Sequence, residues 1–225
     1  AILRCLVGSE MCIRDSLTNV LRQAAYLGTA ALGEMLVILT AGIDLSIGSL
    51  VKLSVLVSAI LMDGNPDNVI MAVGLTLALG LGVGLLHAFF INELNLSPFV
   101  VTFASLFILQ GISLTITTKP IGRSSKDFLL LYSQKFFEVP IIVYFFGLVT
   151  LLIAFLLNMT VFGKHIYAVG GNPTVAELSG IPVKKIRYGV YGICSLLAAV
   201  TGLLWLMRMG AVSYTHLRAH ETSEN

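Results

Sequence analysis

Charge is what this sequence has least of. Only 12% of its 225 residues are Asp, Glu, Lys or Arg, about half the ~25% of an average soluble domain. That shortage excludes a disordered chain, a nucleic-acid-binding arm and an ordinary water-soluble enzyme. The formal net charge of +2 is too small to imply a polyanionic partner, nucleic acid included. Cysteine is scarce too: Cys5, Cys12 and Cys194 give neither a disulfide framework nor metal-ligand spacing, so no metal site is expected. The chain has no Gly-x-x-x-x-Gly-Lys-(Ser/Thr) loop with which to hydrolyse nucleotide. It also has no catalytic cluster of His, Cys, Ser and carboxylates, so neither catalytic residues nor a cofactor are expected. What abounds is hydrocarbon: 56% of the residues are hydrophobic and the mean hydropathy is +0.92. The solvent for most of this chain is lipid.

A bilayer core about 30 Å thick is crossed by about 20 apolar residues in helix. Val69 to Ile91 has only His87 as an ionisable group, and Pro98 to Thr118 and Pro140 to Gly163 have no charge. Tyr188 to Met207 is a fourth such stretch, ended by Arg208. Each reads as a transmembrane helix, because a helix satisfies its own backbone polar groups where no water is at hand. Within the first, Gly74, Gly80, Gly82 and Gly84 read as packing contacts between helices rather than as a pore. His87 reads as a hydrogen-bonded interior group. Gln110 and Gly111 carry no assignment.

Val20 to Met62 is too long for one span and is interrupted by Glu34, Asp44 and Lys52. Its middle reads Ala41-Gly42-Ile43-Asp44-Leu45-Ser46-Ile47-Gly48-Ser49. Glycines weaken helix there, and Asp44 or Ser46 is suited to cap a helix running on to Met62. The pattern predicts one helix ending near Thr40, a non-helical break, and a second helix from near Ile47. Such a break survives at membrane depth only inside protein or beside water. The predicted fold is therefore all-α, a polytopic transmembrane bundle of about six spans with one broken near Gly42–Ser46. An unpaired Asp44 at mid-bilayer would cost about 3 kcal/mol on insertion scales. The new helix start offers free N–H groups and a positive dipole end. Asp44 and Ser46, with Gly42 and Gly48 around them, are thus candidates for a substrate path or gate. A buried cap that holds the break shut is favoured over direct substrate contact.

Asp63 to Asn68 is a strong turn signal, and Asn92 to Ser97 is a brief polar link. Phe162 to Arg187 is the longest polar stretch between spans, with Lys164, Lys184, Lys185 and Arg187 against Glu177 alone. The positive-inside rule puts it in the cytoplasm. Lys119, Arg123, Lys126 and Lys135 in the preceding loop argue the other way, so charge alone does not fix the orientation. Within the long stretch, Asn172 to Lys185 predicts a short water-side helix. Thr174 and Glu177 fit a capping box with Pro173 ahead of it. Gly180 can take the left-handed C-terminal position and Pro182 stops continuation. So short a helix needs a neighbour, to which Val175 and Leu178 offer apolar side chains.

The two ends break the pattern. Met11-Cys12-Ile13-Arg14-Asp15 can be written ATG TGT ATA AGA GAC, whose complement translates as Val-Ser-Tyr-Thr-His, the residues Val212 to His216. Both ends resemble translations of a transposase-end sequencing adapter. Residues 1–16 are therefore expected to be artefactual or disordered and 212–225 artefactual, leaving 17–211 as a partial transmembrane domain. Cys12, His216 and His220 are accordingly not offered as ligands.

Leu36-Val37-Ile38-Leu39 followed by Gly42-Ile43-Asp44-Leu45-Ser46-Ile47-Gly48-Ser49 resembles the membrane permeases of bacterial ABC importers for monosaccharides, the ribose, xylose and galactoside group. The likeness continues through Ser97-Pro98-Phe99-Val100-Val101-Thr102 and Phe162-Gly163-Lys164-His165-Ile166-Tyr167-Ala168-Val169-Gly170-Gly171-Asn172, then Leu178-Ser179-Gly180-Ile181-Pro182-Val183. Glu34 and Lys52 depart from it, standing where uncharged residues are expected; the two are expected to pair or to face the interior. The resemblance implies a permease subunit in the bacterial cytoplasmic membrane, forming half of a membrane dimer with a second permease subunit. It implies an ATP-binding cassette subunit and a periplasmic or extracellular solute-binding protein as partners. It also implies that Asn172, Thr174, Val175, Glu177, Leu178 and Gly180 form the segment coupled to the ATPase. The competing functions are a proton-coupled secondary transporter, to which Glu34, Asp44 and His87 would be relevant, and an ABC permease for amino acids or nucleosides.

Overall fold

The computed structural model describes residues 17–116, 125, 128, 130, 134, 136–137 and 139–209 with their side chains. It also describes backbone helix over 2–16 and 210–221 and the backbone of Lys135. The side chains of the two adapter-like ends lie outside the described residues, as do Lys119, Arg123 and Lys126.

Helix α1 (Ile2–Leu39) is followed by the break and by α2 (Ile47–Met62). After a 3-10 turn (Pro66–Asn68) come α3 (Val69–Glu93) and α4 (Pro98–Ile116). A two-residue antiparallel ladder, β1 (Lys135–Phe136) with β2 (Val139–Pro140), precedes α5 (Ile141–Met159). Then come α6 (Val161–Gly171), α7 (Pro173–Leu178) and α8 (Val183–Glu221). The bundle is all-α, as expected. Among the described residues four helices are long and apolar enough to cross a membrane: Pro66–Glu93, Pro98–Ile116, Ile141–Met159 and Val183–Met209. These coincide with the four uncharged stretches, with one correction. The third ends at Met159 rather than Gly163, because Thr160 adopts extended backbone and its hydroxyl caps a new helix at Gly163 N–H.

Helix α8 is the central element. Its span is 78% buried, against 17–22% for the other three, and it packs chiefly on α3, α1 and α2. Lipid supplies no hydrophobic drive to bring helices together, so close backbone approach has to do so. A Cβ on Gly84 would collide with the Tyr191 carbonyl, and one on Gly80 would lie 2.6 Å from Ala199 Cβ. Gly74 and Gly82, by contrast, meet nothing within 4 Å. The packing role expected of the α3 glycines therefore belongs to two of the four.

Candidate functional site

The break lies where the sequence pattern puts it: α1 ends at Leu39 and α2 begins at Ile47. Helix α1 closes in a Schellman motif, with Gly42 N–H on the Val37 carbonyl (3.0 Å) and Ala41 N–H on the Ile38 carbonyl (2.9 Å). Ala41, not a glycine, takes the left-handed position, at φ 56°. Gly42 is required for space instead, since a Cβ there would sit 2.7 Å from Tyr191 Oη.

Asp44 is buried, and Oδ1 accepts both the Ser46 N–H (2.9 Å) and the Ser46 hydroxyl (2.6 Å). Ser46 stands at the N-cap position of α2, but its own side chain makes no capping bond. The cap of this helix start is therefore the Asp44 carboxylate acting through Ser46. The other carboxylate oxygen, Oδ2, faces His87 Nδ1 of α3 at 3.8 Å and the Cys194 thiol of α8 at 4.0 Å. His87 Nε2 is in turn 2.8 Å from Ser105 Oγ on α4. One carboxylate thus stands between the break and three helices.

Glu34, unremarkable in the sequence except as a misplaced charge, belongs here as well: its Oε1 accepts the Asp44 N–H at 3.3 Å. The expectation that Glu34 and Lys52 pair is not met. Glu34 faces this cluster, whereas Lys52 points outward from α2. Gly48 is likewise exposed, with nothing within 4 Å of its Cβ position, and so is set apart from buried Gly42, Asp44 and Ser46. Glu34 Oε2, His87 Nδ1, Tyr191 Oη and Ser195 Oγ are buried without a protein partner, which makes this the most polar part of the interior.

Motifs far apart in the chain meet at this end of the bundle. The Thr102 hydroxyl, bound to the Pro98 carbonyl at 2.9 Å, is 3.3 Å from the Ile43 carbonyl of the break. Gly170 of α6 abuts the end of α1 so closely that a Cβ would collide with the Leu39 carbonyl oxygen. Asn92 Nδ2 at the end of α3 donates to the Lys184 carbonyl (3.1 Å), and Lys184 Nζ donates to Glu93 (2.9 Å).

The short helix is also present, one turn and a half long. Its cap differs from the expected one: α7 starts at Pro173, and the Asn172 side chain accepts the N–H groups of Thr174 (3.0 Å) and Val175 (3.1 Å). Thr174 is thus inside the helix, and no capping box forms with Glu177. The physical reason is Pro173, whose ring fixes φ for the first helical position and leaves the residue before it as the cap. Gly180 does take the left-handed position (φ 84°). Gly180 N–H binds the Glu177 carbonyl at 2.9 Å and Ile181 N–H the Ala176 carbonyl at 3.0 Å, a second Schellman motif. Ala176 is buried, while Val175 and Leu178 are 56% and 85% exposed. The residues that missed detection are those of α6, hidden in a stretch that reads as polar loop because Gly163, Gly170 and Gly171 lower its helix propensity.

Four helices of spanning length around a polar helix break, with a capped apolar peg at the same end, define a polytopic helical membrane protein. The family model described as branched-chain amino acid transport system / permease component matches residues 16–221. The chain belongs to that family and is a multi-pass membrane protein. Among curated proteins it is 34% identical to the ribose import permease protein RbsC of Escherichia coli (strain K12), over 89% of this chain and 64% of that protein. It is 32% identical to the D-allose transport system permease protein AlsC of the same strain, over 88% of this chain and 61% of that one. It is 30% identical to the fructose import permease protein FrcC of Rhizobium meliloti, over 93% of this chain and 61% of that one. The chain thus spans less than two thirds of the length of these relatives. No solved structure gives a significant match.

Proposed function

We propose that this protein is the permease subunit of an ATP-driven importer that moves a monosaccharide or a similarly sized polyhydroxyl solute across the bacterial cytoplasmic membrane. Hydrolysis belongs to a separate ATP-binding cassette subunit, and selection of the solute to a soluble binding protein. A second permease subunit completes the membrane dimer. The sugar permeases among its relatives support the solute class. The observation that carries the mechanism is α7, a helix capped at both ends whose Val175 and Leu178 project outward. An apolar pair held on a rigid, water-side peg suits a groove on a partner protein. In this reading Asp44 and Ser46 act as the clasp of the helix break. Gly42 admits the Tyr191 side chain beside it.

Coupling requires a contact that differs between the ATP-bound and empty states. Motion of α7 is carried by α6, whose Gly170 is in contact with the Leu39 carbonyl at the edge of the break. The test is copurification of the intact protein with its ATPase subunit, together with uptake of labelled sugar. Val175→Asp with Leu178→Asp should abolish both while leaving the permease in the membrane. Uptake driven by a pH gradient with no ATPase present would refute the reading in favour of a proton-coupled transporter.

A further inference from the structure

Lys52 stands in the middle of an otherwise uncharged helix. It is ten residues before Met62, about 15 Å along α2, which is half of a ~30 Å bilayer core. The polar turn Asp63 to Asn68 follows Met62 and marks one edge of that core. Three sides of α2 are covered, by α8, α3 and α4. Leu50, Val51, Leu53 and Ser54 are buried. The uncovered side carries Gly48 and, one turn on, Lys52, both exposed. Among the described residues Lys52 has no carboxylate within ion-pair distance.

An ammonium group at this depth, turned away from the described helices and without a carboxylate partner among the described residues, is strongly disfavoured in hydrocarbon. Lysine side chains escape by snorkelling to an interface, but from the middle of the core both interfaces are distant. Since no described residue neutralises it, water is the solvent that suits that face.

We propose that the Gly48–Lys52 face of α2 fronts the water-filled passage through which the solute moves, with Lys52 as a hydrogen-bond donor to water and to the hydroxyl oxygens of a passing sugar. The proposal rests on the importer reading for the identity of the solute, though not for the presence of water. It separates the candidate path residues into two groups. Gly48 lies on the passage, whereas Asp44, Ser46 and Gly42 lie behind it in the protein interior.

The test is reaction of single cysteines with a membrane-impermeant maleimide, in sealed native membranes of both orientations carrying the intact protein. Lys52→Cys and Gly48→Cys are the reporters, in a background with Cys5, Cys12 and Cys194 replaced by serine or alanine. Leu151→Cys and Phe155→Cys on α5, exposed in the bundle and apolar, are the lipid-facing references. The reporters should react at least about tenfold faster than the references, because a thiol in an apolar medium is held in its unreactive protonated form. Gly48→Cys keeps the test alive if the Lys52 variant does not accumulate, since its Cβ position is open. Reporters as inert as the references would overturn the proposal, and so would disulfide formation between two copies through position 52, which would make the face a subunit interface. ATP-dependent uptake is measured in parallel on membranes carrying the protein with its own cysteines. Uptake with inert reporters defeats this proposal alone; reactive reporters without ATP-dependent uptake defeat the importer reading and leave the passage standing.

Discussion

If Asp44 is the clasp of the helix break, its oxygen matters more than its charge. Replacement by alanine removes the acceptor of two hydrogen bonds, from Ser46 N–H and Ser46 Oγ–H, both donors being buried. Hydrogen bonds inside membrane proteins average about 0.6 kcal/mol, and those to charged acceptors reach about 1.5 kcal/mol or more. Two of them amount to about 1–3 kcal/mol, overlapping the ~0.5–2 kcal/mol found for losing a helix N-cap. Asparagine keeps an acceptor oxygen at the Oδ1 position. Its amide can turn toward His87 Nδ1, which now faces Oδ2 at 3.8 Å. Asp44→Asn should therefore cost less than about 1 kcal/mol, since the hydrogen bonds to Ser46 persist with a neutral acceptor. The assay is thermal unfolding of the purified protein in detergent, followed by the fraction that elutes as a single folded peak after heating. Alanine should lower the midpoint clearly and asparagine only slightly. An alanine variant with an unchanged midpoint would refute the clasp. An asparagine variant as damaged as alanine would show that the carboxylate charge, not the acceptor, holds the break.

Gly42→Ala should destabilise the fold by about 1–3 kcal/mol by overpacking against Tyr191 Oη. Tyr191→Phe should recover part of that loss in a double-mutant cycle of melting midpoints, and strict additivity would exclude the contact. Gly170→Ala, pressed against the Leu39 carbonyl, should lower the melting midpoint and reduce sugar uptake without releasing the ATPase subunit in a pull-down. Asn172→Ala removes the acceptor for two N–H groups of α7. It should weaken ATPase copurification while leaving the melting midpoint of the bundle within experimental scatter.

The rods of this fold were legible because lipid leaves a coarse mark. Long uncharged runs such as Val69 to Ile91 and Tyr188 to Met207 need no partner to be recognised as spans. The break was legible too, since Gly42 and Asp44 interrupt an apolar stretch too long to cross once. Which residue performs which task inside the break could not be read, because it depends on contacts across the bundle. In the sequence Gly42 reads only as a weak point for helix, yet it is Ala41 that takes the left-handed conformation and Gly42 that yields space to a tyrosine 149 positions later. Glu34 looks like a fault in a transmembrane helix until the Asp44 N–H is found against it. At α7, two local rules competed: a Thr-x-x-Glu pattern suggests a box at Thr174, and a proline suggests a helix start at Pro173. The proline prevailed, because its fixed φ acts at the backbone while the box requires a side chain to reach back.

The meeting of these motifs at one end of the bundle has a mechanical consequence. Hydrocarbon packing along α3 and α8 is close and apolar, so sliding one past the other would open gaps that nothing fills. The end that carries Asp44, His87 and Thr102 adds a handful of directional contacts to an apolar core of its own, which includes Val37, Ala88, Ile91 and Val101. Hydrogen bonds of 2.6–3.3 Å can be exchanged for others at small net cost when water or a hydroxyl-bearing solute stands in for one partner. A backbone that has left helix between Leu39 and Ile47 can pivot without breaking a helical ladder. The peg α7 adjoins this end through α6, whose Gly170 is pressed against the Leu39 carbonyl. If α7 is the coupling peg of the proposed function, a pull on it acts first on the break, where the backbone has already left helix, and moves α1 and α2 as whole rods on either side of it.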